Sequence, residues 1–237
     1  DLVVCRPYAI PESYEEMEMV EDGWLALDRP LLYEGRYQEC FYQSRSTRLN
    51  LKKYRASASQ SQWQGKTIQM MEIRPEQQNI EMTGLRAVYQ KYLKRSGFTD
   101  LYDPFQHVSD RDAFLIYYLT DVTNIIGFSK IKRYWYQEEL LSYNNRRDIV
   151  NAMPDQCYAI ESVLHCNTVP ITKLTVDMEA TWAKKKGMHE LYLGSGYERS
   201  SIYKSSYRGF QWWTGTEWSS NKKKYVQLCQ RDSAFKK

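Results

Sequence analysis

Apolar residues recur at helical spacing in two long segments of the chain. Between residues 81 and 95 they repeat at steps of three and four, which predicts an amphipathic helix. Between residues 171 and 186, Leu174, Met178 and Trp182 lie four residues apart, and we expect them to form the buried face of a second helix.

Residues that favour helix ends mark the limits of the second helix. Pro170 suits its first turn, where no backbone N–H is needed, and Asn167 or Thr168 is expected to cap it. Gly187 is expected to end it. The segment 158–193 is therefore predicted to run strand, helix, strand, with a right-handed crossover between parallel neighbours.

Short β-prone stretches make up much of the remaining chain. A short helix is predicted over 200–208, and residues 138–153 are predicted as either a helix or an irregular excursion. The order of elements predicts an α+β (mixed α/β) fold, with a central mixed sheet, flanking helices and a strand-rich N-terminal region. The clearest strands are Ala113–Leu119, Ile125–Ile131, Tyr158–Cys166, Glu190–Leu193 and Phe210–Trp213.

Changes in composition along the chain suggest three regions. Residues 1–75 are predicted as a strand-rich region, either a small subdomain or a lid. Residues 76–220 are expected to hold the main domain, and residues 221–237, which begin near the run Lys222-Lys223-Lys224, are expected to form a polar basic tail.

The composition excludes several classes of protein. Of the 237 residues, 42% are hydrophobic, which argues against wholesale disorder, and 11 glycines with 7 prolines exclude a collagen-like chain. The longest apolar run, Phe114–Leu119, is too short to cross a bilayer, so no membrane association is expected. The net charge of +4 permits an anionic partner without requiring one. The 20 tyrosines are consistent either with half-buried strand positions or with a groove for bases.

Cysteine and histidine spacing gives no support for a metal site. The 5 cysteines are odd in number and contain no C-x-x-C, and the 3 histidines are far apart in sequence. Unpaired thiols of this kind are typical of reduced, intracellular proteins, so a cytoplasmic location is expected.

Residues 158–218 resemble the core of the GNAT acyltransferase superfamily. A strand leads into a helix, a second strand, and a short helix that carries Tyr-Lys and is followed by Gly-Phe. The resemblance implies that two neighbouring parallel strands splay apart and that the acyl donor lies in the gap between them.

A narrower resemblance is to aminoacyl-tRNA–protein transferases of the arginyltransferase type. It implies that an amino acid moves from an aminoacyl-tRNA to an acceptor amine, such as a protein N-terminus, with the tRNA acceptor end as a partner and no cofactor. The family's N-terminal cysteine cluster is absent and its usual spacer is shortened here, so the resemblance does not extend to metal-linked regulation. The motifs that carry it are Tyr192-Leu193-Gly194, Tyr203-Lys204-Ser205-Ser206-Tyr207, Ser44-Arg45-Ser46-Thr47-Arg48 and Val88-Tyr89-Gln90-Lys91-Tyr92-Leu93.

Aminolysis of an ester needs a proton acceptor and donors for the oxyanion, but no covalent enzyme intermediate. Tyr203 is the candidate donor to the oxyanion or to the leaving ribose hydroxyl, and Lys204 the candidate contact to tRNA phosphate. Glu161, in mid-strand, is the candidate base, because partial burial would raise the pKa of its carboxyl group. The alternatives are a packed Tyr203, a solvated Lys204 and an outward-facing Glu161.

Further substrate-binding candidates follow from the same motifs. Arg45 and Arg48 are expected to grip phosphate or the tRNA end, with ion pairing within the protein as the alternative. Tyr192 and Tyr207 are candidates of the second rank, since Tyr207 shares a face with Tyr203 and is also a candidate for the core. On the long helix, Glu179 is expected to be solvated.

Two other functions remain open. One is an N-acetyltransferase that uses acetyl-CoA, but the turn Cys166–Ile171 contains no glycine, and Pro170 removes an N–H where pyrophosphate would bind. The other is a non-catalytic binding or structural protein that keeps the fold. Under that interpretation Tyr203 and Lys204 would be packed away from any cleft. His165, on a strand, is expected to be a core histidine with its hydrogen bonds satisfied, and a role as a base is the alternative.

Overall fold

A computed structural model describes residues 8–9, 15–27, 29–56, 62–74, 78–97, 103–109, 111–120, 123–136 and 157–234 of the chain. The segment 138–153, which the sequence leaves between helix and irregular structure, lies outside these residues.

The described residues form fifteen strands. In chain order these are β1 (Tyr8–Ala9), β2 (Trp24–Ala26), β3 (Leu31–Tyr33), β4 (Arg36–Gln38), β5 (Phe41–Gln43), β6 (Ser46–Asn50), β7 (Gln62–Trp63), β8 (Lys66–Thr67), β9 (Gln69–Ile73), β10 (Asp112–Tyr118), β11 (Ile125–Tyr134), β12 (Ala159–Asn167), β13 (Glu190–Ser195), β14 (Phe210–Trp213) and β15 (Trp218–Ser219). The helices are α1 (Glu16–Glu21), α2 (Gln78–Ser96), α3 (Thr172–Lys185) and α4 (Lys222–Ala234), with a 3-10 helix, η1 (Arg199–Ser206).

Eight strands form the main sheet, in the order β15-β14-β6-β13-β12-β11-β10-β9. Strands β12 and β13 pair in parallel, and α3 connects them, as the pattern over 158–193 predicts. The other pairs in this sheet are antiparallel. The predicted α+β fold with a central mixed sheet, flanking helices and a strand-rich N-terminus is confirmed.

The region before residue 76 contributes directly to the main sheet. Strand β6 lies between β13 and β14, and β9 forms the sheet edge beside β10. Strands β1, β5 and β2 form a separate three-stranded sheet. The N-terminal segments are therefore divided between the main sheet and a layer that covers it.

Side chains that alternate along the strands define two faces of the main sheet. On the first, which we call the α3 face, Ile160 and Leu191 pack with α3 and with Tyr225 of α4. On the second, the α1 face, Ala159 and Tyr192 pack with α1, β2 and β5. Helix α2 covers β10 and β11 on this same side.

The C-terminal residues form a helix, so the prediction of a polar tail over 221–237 is wrong for 222–234. Tyr225 and Cys229, four residues apart, are fully buried, and the Tyr225 ring lies 4.8 Å from that of Phe210. Asn221 accepts a hydrogen bond from the N–H of Lys224, which caps the helix start. The lysine run is the exposed side of an amphipathic helix.

The start and the buried face of α3 also differ from the prediction. The helix begins after Ile171, and neither Asn167 nor Thr168 provides its cap. Its buried positions include Val176, Glu179 and Ala180, whereas Leu174, Met178 and Trp182 lie at the rim of the core. The apolar stripe in the sequence is thus offset from the face that contacts the sheet.

Candidate functional site

Strands β12 and β13 separate after a short paired segment. They pair only from Ala159 with Glu190 to Glu161 with Tyr192, and beyond this each strand continues along its other neighbour. In the pairing of β11 with β12 a shift between Lys130 and Ile131 leaves Val163 unopposed, a bulge that bends the strand. A gap therefore opens between two parallel strands, as the GNAT resemblance implies.

Lys204 lies in this gap and replaces the missing strand pairing. Its Nζ donates to the carbonyl oxygens of Leu193 at 2.7 Å and Ser195 at 2.8 Å. The carbonyl between them, that of Gly194, accepts from Thr47 of β6. Because successive carbonyls along a strand point in opposite directions, those of Leu193 and Ser195 point towards the side that β12 has left.

The Lys204 ammonium group is buried without a carboxylate to balance it. The residue is 8% exposed, and burial lowers its pKa to about 8. In the described part of the chain no acidic side chain forms an ion pair with it. The solvated Lys204 considered from the sequence is therefore excluded.

A histidine on β12 contacts a buried glutamate on α3, on the α3 face of the sheet. Nε2 of His165 lies 2.7 Å from Oε1 of Glu179 and 3.1 Å from Oγ of Ser162. The His165 side chain is 17% exposed and that of Glu179 is fully buried. When Nε2–H donates to Glu179, Nδ1 is the ring nitrogen that is left for a ligand.

Hydrogen bonds hold Glu179 in its ionised form. Burial by itself would raise the pKa of Glu179, but the charge of His165 and hydrogen bonds from His165, Ser129 and Tyr117 hold it below the ordinary value. Its other oxygen, Oε2, is buried without a hydrogen-bond partner among the described residues. The expectation that Glu179 is solvated is wrong.

Tyr203 packs beside this pair. It is half-buried against the core of the α3 face, and burial and the charge of Glu179 raise its pKa to about 12. Within the described chain, its hydroxyl is not engaged in a hydrogen bond. Tyr207 meets the Tyr203 ring edge to face at 6.4 Å and donates to the carbonyl of Lys173, which ties η1 to α3.

Glu161 lies on the opposite face of the sheet from Tyr203. It is 1% exposed, and its Oε2 accepts hydrogen bonds from the N–H of Ala26 and from the hydroxyl of Tyr134. Burial raises the pKa of Glu161 to about 7. The two predicted catalytic residues are therefore not brought together.

Tyr192 and Arg48 lie on the α1 face and bind each other. Nη1 of Arg48 lies 3.4 Å from the Tyr192 hydroxyl and 3.3 Å from a carboxylate oxygen of Glu190. Nε of Arg48 donates to Gln211, and the guanidinium lies over the Trp218 ring at 4.1 Å. Both Nε and Nη1 of this arginine are thus engaged inside the protein.

Arg45 lies apart from both groups, beside α4. Its Nη1 pairs with Asp232 at 2.6 Å and also donates to the carbonyl of Gly196. The predicted site residues are therefore divided among the gap, the α1 face and the α4 contact.

The sequence interpretation missed the His165–Glu179 pair. Glu179 lies three residues after Val176 and one before Ala180, on the face that α3 buries, which was a readable signal. His165 lies on the part of β12 that has left β13, and a strand's free edge cannot be identified from local sequence.

The described residues show no metal site. They contain no group of three or more His, Cys, Asp or Glu side chains arranged to hold a metal ion. Cys40, Cys157, Cys166 and Cys229 are buried free thiols. A search of these residues for a helix long and apolar enough to span a membrane finds none.

Comparison with known proteins finds similarity at the level of structure alone. No family model and no curated protein matches the sequence. Among solved structures, the chain is similar to the C-terminal domain (DUF2156) of a protein named as a lysylphosphatidylglycerol synthetase from Agrobacterium fabrum, with a TM-score of 0.42 and 9% identity. The match covers 68% of this chain and 49% of that one, so the chain spans about half the length of that structure.

Proposed function

We propose that this chain is an acyltransferase that moves an amino acid from an aminoacyl-tRNA to an acceptor amine, such as a protein N-terminus, by direct aminolysis. The observation that carries the proposal is the His165–Glu179 pair, in contact at 2.7 Å on the free part of β12. A histidine that is oriented by a buried carboxylate and still reaches solvent is suited to act as a general base towards a bound amine.

The reaction follows from the groups around the gap. Nδ1 of His165 takes a proton from the acceptor ammonium, and the freed amine attacks the ester carbonyl. A C–N bond forms, and the Tyr203 hydroxyl donates to the oxyanion. The nitrogen then releases its second proton to solvent, the C–O bond to the ribose breaks, and the ribose oxygen takes the proton back from His165, which leaves a neutral amide and a ribose hydroxyl. The donor ester supplies the driving force, so we propose no cofactor.

This assignment replaces Glu161 with His165 as the proposed base. Glu161 is enclosed by Ala26 and Tyr134, and an acceptor amine could reach it only if β2 moved away. Lys204, held by two carbonyls in the gap, would add positive charge near the developing oxyanion. Tyr207 would position Tyr203, and Tyr192 and Arg48 would hold the strands on the other face.

The turn before α3 favours tRNA over acetyl-CoA as donor. Pyrophosphate binding needs backbone N–H groups at a helix N-terminus that point outwards. Here the N–H of Thr168 donates to Ile126 and that of Ile171 to Val169, and Pro170 has none. Exposed basic side chains after β6, at Lys52, Lys53 and Arg55, suit a nucleic-acid backbone. We accordingly propose a cytoplasmic activity, where charged tRNA is present.

The test measures binding and transfer in parallel. Charged tRNA and acetyl-CoA are titrated separately at about 0.1 M salt, held fixed because phosphate contacts depend strongly on ionic strength. Transfer is then measured from tRNA carrying a mixture of radiolabelled amino acids to peptides with free N-termini. We expect binding of charged tRNA and label in the peptide.

Variants assign the roles. Glu179→Gln and Tyr203→Phe are expected to lower the transfer rate about 100-fold with little change in tRNA affinity. Tyr33→Phe, the same change at a half-exposed position on the β3–β4 hairpin, should leave it unchanged. Tight binding of acetyl-CoA with acetyl transfer would replace the proposal with an acetyltransferase. Binding of neither donor would favour a non-catalytic binding protein.

A further inference from the structure

A cleft lies on the α1 face, on the other side of the sheet from His165. The cleft and the open solvent at its mouth together enclose about 320 Å³ of empty space. Strands β10, β11 and β12 form its floor, and the chain after β2 forms one wall. The charged and titratable side chains around it are Arg29, Glu39, His107, Asp112, Lys130 and Lys132.

Lys130 on the floor of this cleft lacks a close partner. The residue is 5% exposed, and the nearest carboxylate oxygen, Oδ2 of Asp112, is 3.8 Å from its Nζ, too far for a hydrogen bond. That oxygen already accepts hydrogen bonds from the N–H and the hydroxyl of Ser109. The three ammonium donors of Lys130 are therefore not satisfied by the described residues.

The neighbouring lysine differs in this respect. Lys132 hydrogen-bonds Glu39, and carboxylates around it raise its pKa even though burial opposes the charge. Glu39 is thus committed to Lys132 and does not compensate Lys130. Three positive side chains (Arg29, Lys130, Lys132) against two negative ones (Glu39, Asp112) leave the cleft one positive charge in excess with His107 neutral.

We propose that this cleft binds a small anionic ligand through a carboxylate or phosphate oxygen that accepts hydrogen bonds from Lys130. Most of the Lys130 side chain is buried, and an anionic oxygen in the cleft would give its ammonium group the strong, charge-assisted hydrogen bond that Asp112, at 3.8 Å, does not provide. Arg29 and His107 at the rim offer further donors. The proposal does not depend on the transferase activity.

Calorimetric titration of the whole chain with inorganic phosphate and, separately, with succinate tests the proposal. Ionic strength is held constant with chloride, so that only a site that prefers an oxyanion gives heat. We expect one of the two to bind, and Lys130→Met to weaken that binding at least tenfold. Lys185→Met, the same change at an exposed position on α3, should leave it unaltered. Absence of binding by both anions, or equal affinity in Lys130→Met, would overturn the proposal.

A measurement on the unaltered protein covers the case in which Lys130→Met does not fold. The rate at which an amine-reactive acetylating reagent modifies each lysine is followed by peptide mass spectrometry, with and without the anion. Bound anion should slow modification of Lys130 at least several-fold and leave Lys185 unchanged. Equal slowing at both lysines, or none at Lys130, would contradict the site. A tighter fit for phosphate than for succinate, or the reverse, identifies the kind of ligand.

Discussion

Replacing Glu161 with glutamine tests whether this carboxyl group is a buried structural group or the base of the reaction. The change keeps the size of the side chain and an oxygen that can accept from Ala26 and Tyr134, but removes the titration. We expect Glu161→Gln to alter how stability depends on pH and to leave transfer activity largely intact.

The magnitude follows from the pKa of the buried carboxyl group. In the folded chain this pKa is about 7, against an ordinary value of 4.5, so the folded state holds the proton more tightly than the unfolded state does. The resulting stabilisation is fully present below pH 4.5 and is lost as the pH rises through 7. Each unit of pKa corresponds to about 1.4 kcal/mol, so the total is about 3 kcal/mol, of which about 2.5 kcal/mol is lost between pH 5 and pH 8.

Urea unfolding at pH 5 and pH 8, followed by tryptophan fluorescence, measures this loss. At pH 5 the free energy of unfolding of Glu161→Gln should be within about 1 kcal/mol of the wild-type value. Between pH 5 and pH 8 the difference between the variant and the wild type should shift by about 2.5 kcal/mol in favour of the variant. Glu217→Gln, the same change at an exposed turn, is the control and should track the wild type at both values.

A constant difference between Glu161→Gln and the wild type at the two pH values would refute the argument. It would mean that the carboxyl group titrates alike in the folded and unfolded chains, and hence that it is open to water. A hundredfold loss of transfer in a variant that is stable at pH 8 would restore Glu161 as the proposed base and remove His165 from that role.

Two further perturbations probe the elements that hold the gap. Between pH 8 and pH 10.5 the unfolded chain keeps the Lys204 proton and the folded chain does not, so the stability of the wild type should rise with pH over this range. Lys204→Met should remove this rise. Urea unfolding across the range should show that the difference in free energy of unfolding between wild type and variant changes by about 3 kcal/mol. Gly209→Ala should lower the free energy of unfolding by more than Gly35→Ala does, and thermal melts compare them directly. Both glycines have a left-handed φ, but a Cβ at Gly209 would lie 2.5 Å from the carbonyl oxygen of Asn50, and one at Gly35 would meet nothing within 4 Å. Equal losses would show that the turn between η1 and β14 relaxes freely.

Local sequence patterns predict the individual helices and strands better than they predict which strands are neighbours in the sheet. The strand–helix–strand unit from β12 to β13 could be read because each element carries its own periodicity and the crossover rule relates them. The position of β6 between β13 and β14 could not, because that pairing joins segments about 140 to 165 residues apart, and nothing in the five residues of β6 specifies a partner. Helix α4 was readable from Asn221, Tyr225 and Cys229, but its three lysines concealed the pattern.

The candidate site shows the same limit at the level of single residues. Tyr203 and Lys204 were found from a local motif, and both lie at the gap. Glu161 was predicted as the base because of its mid-strand position and expected burial, but alternation along β12 directs its side chain to the other face of the sheet. The buried partner of His165 comes from a helix and becomes visible only once α3 has docked on the sheet.

The internal bonding of Arg45 and Arg48 bears on where a tRNA backbone would be held. Arg48 already bonds Glu190, Tyr192 and Gln211. Taking one partner from a buried ion pair costs about 3 to 5 kcal/mol, because the remaining charge stays buried and uncompensated. A phosphate contact at the surface would contribute less free energy than this cost, so neither arginine is suited to release its partners for tRNA.

Exposed cations can bind phosphate without that cost, and the structure fixes several of them in place. Lys52 and Lys53 follow β6 directly, and Tyr54 anchors their turn by donating to Asp177 at 2.6 Å while its carbonyl accepts from Lys184. Arg48, by joining β6 to β13 and β14, holds the strand from which this turn projects. The arginine motif identified in the sequence would therefore support tRNA binding by positioning the lysines that follow it.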